Sequence, residues 1–351
     1  VTAEHPPLRL GIIGCGGISE RHGHAAAATT EAEIVACCDV RRTVARDWSA
    51  RHGCERAYDD YATMLREHDL DGVIVATWPS LHREHVLGCL AAGAPAVLCE
   101  KALALDAAEA LDIWRAATEA GALVIEAYMY RHHPAIRRVD ELVDDGRVGT
   151  LDSVTAAFSL LDPEESEPDD PDRDWRQQVD RAGGVPFDLA CYCVDACNRF
   201  AGSPPRRALA LAGTSSRYGT TDQLFGLIEY ENGVVGIVES SKRGHFDHQL
   251  RLAGADGHLV LPVAWRIETA IDVLLQRSVG WGEIETTVFP VAATNPFRLQ
   301  LESFAAAIRG AGPPVPSLAE SVTTAATLDA LLASAGEGAA LPVEIPAAVR
   351  A

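Results

Sequence analysis

Residues 8–19, Leu-Arg-Leu-Gly-Ile-Ile-Gly-Cys-Gly-Gly-Ile-Ser, restrict what this chain can become more than any other stretch. A short apolar run ends in Gly14-x-Gly16-x-x-Ser19, and the residues that follow are alanine-rich and helix-forming. Strand, tight turn, helix is the order a dinucleotide fingerprint requires. A first glycine makes the turn, a second lets backbone approach a pyrophosphate, and a third small residue lets the helix lie close to the strand. The free N–H groups at the helix start then meet the phosphates. One helix later the apolar segment 34–38 ends in Asp39, whose carboxylate can accept both hydroxyls of an adenosine ribose. Glycine turns are common, so the reading leans on this context more than on the glycines.

Through about residue 125, short apolar runs alternate with helix-like segments. Runs at 72–76, 96–99 and 123–127 enclose helical patterns at 81–92 and 106–120, stopped by Gly93 and Gly121. Asp106 with Glu109 has the form of a capping box. Such alternation implies a parallel sheet covered on both faces, with ligands beyond the carboxyl ends of its strands. After residue 127 the pattern changes: a helix at 135–144, a strand at 151–160, an acidic loop and a helix at 187–200. Strand-like segments follow, including 223–230 and 234–240 on either side of Glu231-Asn232-Gly233, a turn that favours positive φ. Strands joined by turns imply an antiparallel sheet. Helices at 297–309 and 318–335 and a short run at 341–345 close the chain. The reading is an α/β protein of two domains. A doubly wound dinucleotide-binding domain spans residues 1–126 and a substrate-binding and oligomerisation domain spans 127–351, and 351 residues suffice for two cores.

A formal net charge of −20 excludes nucleic acid as a partner, because no basic patch offsets repulsion from phosphates. Residues 162–174 hold eight carboxylates opposed only by Arg173 and read as a solvated loop. Nine cysteines scattered among apolar positions form no disulfide framework, which fits a reducing, cytoplasmic compartment. No targeting segment opens the chain and no run reaches the roughly 18 apolar residues of a membrane span, so a soluble, unexported protein is expected.

Three stretches could carry chemistry. Thr77-Trp78-Pro79 ends one strand with a hydroxyl and a proline, suited either to a rigid edge against a flat ring or to a plain turn. Glu100-Lys101 ends the next strand, where a lysine at the sheet mouth faces the same cleft as the glycine turn. Asp188, Tyr192 and Asp195, spaced by four and three, share a helix face. With Lys101, Asp188 and Tyr192 would form a proton-transfer set, the ammonium lowering the pKa of a phenol that is ordinarily about 10. On spacing alone they equally fit a packed tyrosine beside a capping aspartate. No metal is expected. Cys191, Cys193 and Cys197 point to different helix faces, and His22 with His24 and His132 with His133 lack the spacing of a helical zinc site.

Gly-Ile-Ile-Gly-Cys-Gly-Gly-Ile, Cys-Glu-Lys-Ala-Leu-Ala-Leu, Glu-Ala-Tyr-Met-Tyr-Arg-His-His-Pro, Asp-Trp-Arg and Gly-Gly-x-x-x-Asp occur in an order and at separations that resemble the glucose-fructose oxidoreductase, inositol dehydrogenase and rhizopine catabolism (Gfo/Idh/MocA) family. The resemblance covers nearly the whole chain, including the late helix with Gln300, Phe304 and Ile308. It implies a Rossmann domain and a second domain whose large open, mostly antiparallel sheet joins subunits into a homodimer or homotetramer. It also implies hydride transfer between a nicotinamide and a sugar-like carbon. Carried over by position, Lys101 matches the family's Glu-Lys-Pro lysine, Asp188 its helix aspartate, and Tyr192 a position often held by histidine. Gly14, Gly16, Gly17, Ile18, Asp39, Arg41, Thr77, Pro79, His82, Glu100, Lys101, Trp175 and Arg176 fall at cofactor-binding positions. Ala102 replaces the family's proline, which loosens the case for a rigid turn at Lys101. Tyrosine at 192 is similar to the subgroup of aldose dehydrogenases and ketosugar reductases, where the phenol exchanges the proton. Asp39 favours NAD because a carboxylate repels a 2′-phosphate, while Arg41 and Arg42 leave NADP open should Asp39 swing away. The family also contains regulators, so a non-catalytic dinucleotide sensor is the alternative to a sugar oxidoreductase.

Overall fold

A computed structural model of the chain describes residues 5–161, 174–244, 246–265 and 267–350. Of the acidic stretch 162–174, only Asp174 is among them. The chain forms two compact units, residues 1–132 with 295–321 and residues 133–294 with 322–351.

The first unit opens with β1 (Leu8–Ile13), α1 (Gly17–Ala27), β2 (Ala32–Cys38), α2 (Arg42–His52), β3 (Arg56–Tyr58) and α3 (Tyr61–Glu67). It continues with β4 (Gly72–Val75), α4 (Pro79–Ala91), β5 (Ala96–Glu100), α5 (Ala107–Ala120) and β6 (Leu123–Ala127). The strands form a parallel sheet in the order β3-β2-β1-β4-β5-β6. Leu10, Ile12, Ile74 and Leu98 are fully buried in it, as strands covered on both faces require. The α5 start is the expected box: Asp106 accepts from the Glu109 N–H at 2.7 Å while Glu109 accepts from the Leu105 N–H at 3.0 Å. Gly121 ends that helix at φ +61°, a conformation that glycine reaches without a Cβ clash.

The second unit contains α6 (Pro134–Asp144), β7 (Leu151–Ser159), α7 (Cys191–Ala201), β8 (Pro205–Thr214), β9 (Thr221–Tyr230), β10 (Val235–Ser241), β11 (Leu250–Gly254), β12 (Gly257–Leu261), β13 (Ile271–Gly280) and β14 (Glu283–Val291). The chain then returns to the first unit with α8 (Pro296–Ile308). It closes with α9 (Leu318–Glu337), which crosses the division, and β15 (Leu341–Pro342). Nine strands pair in the order β14-β13-β12-β11-β7-β10-β9-β8-β15. Every pair is antiparallel except β7 with β10. Gly233, at φ +88°, makes the expected Asn-Gly turn between β9 and β10. Period two places Ala208, Ala210, Leu224 and Ile228 on the buried face, where Leu331 of α9 lies against Gly226, and α7 covers β7 and β10. Leu209, Leu211, Phe225 and Leu227 occupy the opposite face and are exposed, Leu211 by 73%.

In the first unit, α8 packs on α1, with Phe297 edge-on to His22 at 5.8 Å. Phe304 of α8 lies against Gly72. No helix among the described residues is long and apolar enough to cross a membrane.

His133 caps α6: its Nδ1 accepts from the Ala135 N–H at 3.0 Å, which requires an unprotonated nitrogen. Burial, reinforced by the charge of Arg137, lowers its pKa to about 4. The unfolded chain takes up this proton near 6.5 and the native state near 4. The contribution is therefore complete above the upper value and is lost as pH falls through that window. Between about pH 7 and about pH 5, urea denaturation should find that the wild type loses about 1–2 kcal/mol more stability than His133→Asn, whose amide also caps. Equal losses in the two proteins would contradict this account.

Candidate active site

The classic strand order reverses direction between β1 and β4, and ligands of such sheets bind in the crevice at that point. Here the loop after β1 touches the loop after β4. The Gly14 N–H donates to Cys38 O at 2.8 Å, and Gly14 holds φ +93° with the Ala76 carbonyl so near that a Cβ would lie 2.7 Å from its oxygen. Only glycine suits that position. Gly16 and Gly17 are exposed, and a Cβ on either would meet no atom within 4 Å. Gly16 caps α1 with no side-chain bond, and the Ser19 hydroxyl turns back to Gly16 O at 2.6 Å. The first turn of α1, with half-buried Ile18, thus offers bare backbone donors to an anion.

Asp39 follows β2, and its carboxylate is fixed against the glycine turn. Oδ2 accepts from the Cys15 N–H at 3.1 Å and Oδ1 from the Arg41 N–H at 2.9 Å, with Arg41 Nε at 3.8 Å. Arg42 pairs instead with Asp59 at 3.1 Å. The donor set of this turn, bare N–H groups for phosphates and a carboxylate for a ribose, fits a dinucleotide.

The loops after β4 and β5 are tied to each other. Pro79 begins α4, where a missing N–H is harmless, and Thr77 Oγ1 lies 3.0 Å from His85 Nδ1. His82 is fully buried, its Nδ1 2.7 Å from Ala102 O and its Nε2 3.1 Å from Thr77 O. Burial lowers its pKa, and the two carbonyls oppose that shift. The Lys101–Ala102 peptide is cis. Ala102 carries no proline ring, yet the turn is held at three points: Ala102 O by His82, the Leu103 N–H by Glu126 Oε1 at 2.8 Å, and Glu100 Oε1 by His22 Nε2 at 2.8 Å. Half-buried Lys101 emerges from this frame.

In the second unit, Asp188 lies in a π-helical turn, Pro186–Ala190, that leads into α7. A π turn takes more residues per revolution than an α turn, so Tyr192, four residues on, sits more nearly above Asp188 than an unbroken α-helix would place it. Two glycines bring the preceding loop in. A Cβ on Gly183 would fall 2.6 Å from both Trp175 O and Arg176 O, and one on Gly184 would fall 2.5 Å from Thr221 O. Arg176, stacked on the Trp175 ring at 4.8 Å, donates from Nε to Asp188 Oδ1 at 3.0 Å and pairs with Asp174 at 3.1 Å. Burial alone would lower its pKa, but the two carboxylates outweigh burial and raise it, so the guanidinium stays charged. Lys242 Nζ stands 3.6 Å from Asp188 Oδ2. Tyr192 is 5% exposed, its ring 5.4 Å from Phe158 and 6.0 Å from Trp265, whose indole N–H donates to Ala157 O at 2.7 Å.

The residues singled out from sequence thus fall into two clusters. Gly14, Gly16, Gly17, Ile18, Asp39, Arg41, Thr77, Pro79, His82, Glu100 and Lys101 sit on the loops after β1, β2, β4 and β5 of the first unit, and Trp175, Arg176, Asp188 and Tyr192 lie in the second. His22 and Lys242 are additions. A histidine inside a helix and a lysine at a strand end carry no local pattern that would mark them as partners of Glu100 and Asp188.

Residues 8–128 match the family model described as "Oxidoreductase family, NAD-binding Rossmann fold", and residues 136–260 match the GFO/IDH/MocA C-terminal domain. The chain is 30% identical to D-xylose 1-dehydrogenase (NADP(+)) 2 of Haloferax volcanii over 96% of its length and 100% of that protein. It is also 30% identical to D-apiose dehydrogenase of Paraburkholderia graminis, covering 93% of this chain and 87% of the relative. A 3-ketoreductase from Actinomadura kijaniata, solved with NADP and TDP-benzene, superposes with a TM-score of 0.84 at 26% identity, covering 93% of this chain and 98% of that one. Levoglucosan dehydrogenase in complex with NADH shares the fold, with a TM-score of 0.86 at 20% identity over 97% of this chain and 100% of that one.

Gly14→Ala would drive a methyl group into the Ala76 carbonyl in an unfavourable backbone region. NADH fluorescence titration should find affinity reduced about tenfold or more, with a melting temperature several degrees lower. Wild-type affinity in this variant would mean that the contact between the two loops is not needed for binding.

Proposed function

The chain belongs to the Gfo/Idh/MocA oxidoreductase family, and from that premise we propose that it is an NAD(P)-dependent dehydrogenase or reductase of a sugar or sugar derivative. The observation that carries the reading is the pair Asp188 and Tyr192, a buried carboxylate and phenol on successive turns of one helix, in a chain whose other unit holds the glycine turn and Asp39. The dinucleotide, when bound, supplies or accepts the hydride at its nicotinamide ring.

The chain's own residues do the rest. The bare N–H groups at Gly16 and Gly17 receive the pyrophosphate and Asp39 accepts the ribose hydroxyls. Tyr192 gives or takes the proton at the substrate oxygen, and Lys101 is the cation that supports it. Asp188, acceptor-only when ionised, takes a hydrogen bond from a substrate hydroxyl. Trp175 and Arg176 serve the cofactor end, and Arg176 also braces Asp188. His82 and Glu100 act by fixing the loops that present Thr77 and Lys101.

Between the two cofactors the reading favours NAD. Asp39 cannot turn away from a 2′-phosphate without giving up the N–H groups of Cys15 and Arg41, and Arg42 is engaged by Asp59. The apolar residues on the open sheet face, Leu209, Leu211, Phe225 and Leu227, support association with further copies as a homodimer or homotetramer. Nine buried free cysteines support a reducing, cytoplasmic setting.

Turnover is tested by following reduced-nicotinamide absorbance with aldoses, cyclitols and nucleotide sugars. Tyr192→Phe should lower kcat by about 10²–10⁴ while leaving NADH affinity unchanged. Cofactor binding with no turnover across the panel would favour the sensor instead. Asp39→Ser should shift the ratio of kcat/KM for NAD over NADP toward NADP by about tenfold or more, and an unmoved ratio would take cofactor choice away from this carboxylate.

A further inference from the structure

The connection from β10 to β11, residues 242–249, is tied at both ends to the cluster around Asp188 and Tyr192. At its start the Lys242 N–H donates to Asp222 O at 2.9 Å, and the ammonium stands 3.6 Å from Asp188 Oδ2. At its end the chain runs extended beside the last residues of β7. Ser159 and Asp247 exchange both backbone hydrogen bonds, at 2.7 and 2.9 Å, and the Ala157 N–H donates to Gln249 O at 2.8 Å. Between them, buried His248 sets its ring edge-on against Phe158 at 4.4 Å, and Phe158 is the ring that meets Tyr192.

Phe246 continues that row outward. Residues two apart in an extended segment share a face, and the Phe246 ring accordingly stacks on His248, with centroids 3.7 Å apart and planes 24° from parallel. Yet Phe246 is 64% exposed. A lone phenylalanine on a surface would mean little. This one is the open end of a file of rings, Phe246, His248, Phe158 and Tyr192, that starts in solvent and finishes at the phenol assigned to proton transfer.

An aromatic face carries partial negative charge and attracts polarised C–H bonds. A closed sugar ring presents C–H bonds on its face while its hydroxyls point around the rim, whereas an open-chain polyol has the hydroxyls without the flat face. Charged groups at one end of the connection and a backed aromatic ring near the other match the two aspects of the cyclic form. We propose that Phe246 is a specificity-determining residue on which the C–H face of a closed sugar ring stacks, so that the site selects cyclic over open-chain polyhydroxy compounds. The inference rests on the sugar reading of the site given above.

Because the Phe246 ring is exposed, Phe246→Ala should fold with a melting temperature close to that of the wild type. Steady-state kinetics should show KM for the sugar raised about fivefold or more and kcat changed less than about threefold, with NADH affinity intact by fluorescence. Phe246→Tyr should recover most of that loss, and Phe246→Leu, apolar but without a π face, should not. Calorimetry on the NADH-saturated enzyme, which has no oxidised cofactor to take a hydride, supplies a readout that a merely structural role would leave unmoved. The wild type should bind a 1,5-anhydro sugar, locked as a ring, about fivefold or more tighter than the alditol of the same configuration, and Phe246→Ala should bring the two within about twofold.

An unchanged KM in Phe246→Ala would overturn the inference. So would full rescue by Phe246→Leu, or equal binding of ring and alditol by the wild type. If the wild type turns over no sugar at all, the reading of the site fails and this inference with it. Wild-type turnover with an indifferent Phe246→Ala removes the inference alone.

Discussion

A carboxylate withdrawn from water must be met at close range by positive charge or by hydrogen-bond donors, and both clusters of this protein are built around that requirement. Glu100, at the end of a central parallel strand, meets His22, and the turn that carries Lys101 is anchored beside it. Asp188, in the π turn before α7, meets Arg176 and Lys242. His22 and Lys242 come from distant parts of the sequence. The buried charge acts as a locating pin, since the acidic group can sit in only one place and the side chains next to it inherit that precision.

The glycine turn illustrates the same economy in backbone. Gly14 sits so near the Ala76 carbonyl that the loops after β1 and β4 cannot be moved apart or altered singly. Asp39 is drawn into the same knot through the Cys15 N–H. The residue proposed for ribose recognition is thereby also a structural member of the glycine turn.

What was legible in the sequence follows from how far each signal reaches. Strands β1, β4, β5 and β6, the capping box at Asp106 and the Asn-Gly hairpin are local patterns of a few residues, and the sequence displays them directly. The helix face carrying Asp188 and Tyr192 was legible as a spacing, though not its π turn, because one extra residue per revolution leaves no mark in residue types. Ala102 weakened the expectation of a rigid turn because proline was the only local device in view. The hydrogen bonds from His82, Glu126 and His22 that fix the turn are long-range and invisible in any window. Lys242 was missed for the same reason.

The path of the chain after residue 294 has a practical meaning for anyone who cuts or recombines this protein. Helix α8 leaves the second unit and lays Phe297 and Phe304 onto the first, so the nucleotide-handling unit is assembled from two stretches separated by residues 133–294. A fragment stopping at residue 132 would expose a raw apolar seam along α1 and β4. A chimaera that exchanged substrate modules by splicing once near that point would orphan the missing helix. Swapping specificity between relatives therefore calls for two junctions, with the helix travelling alongside the fingerprint it covers.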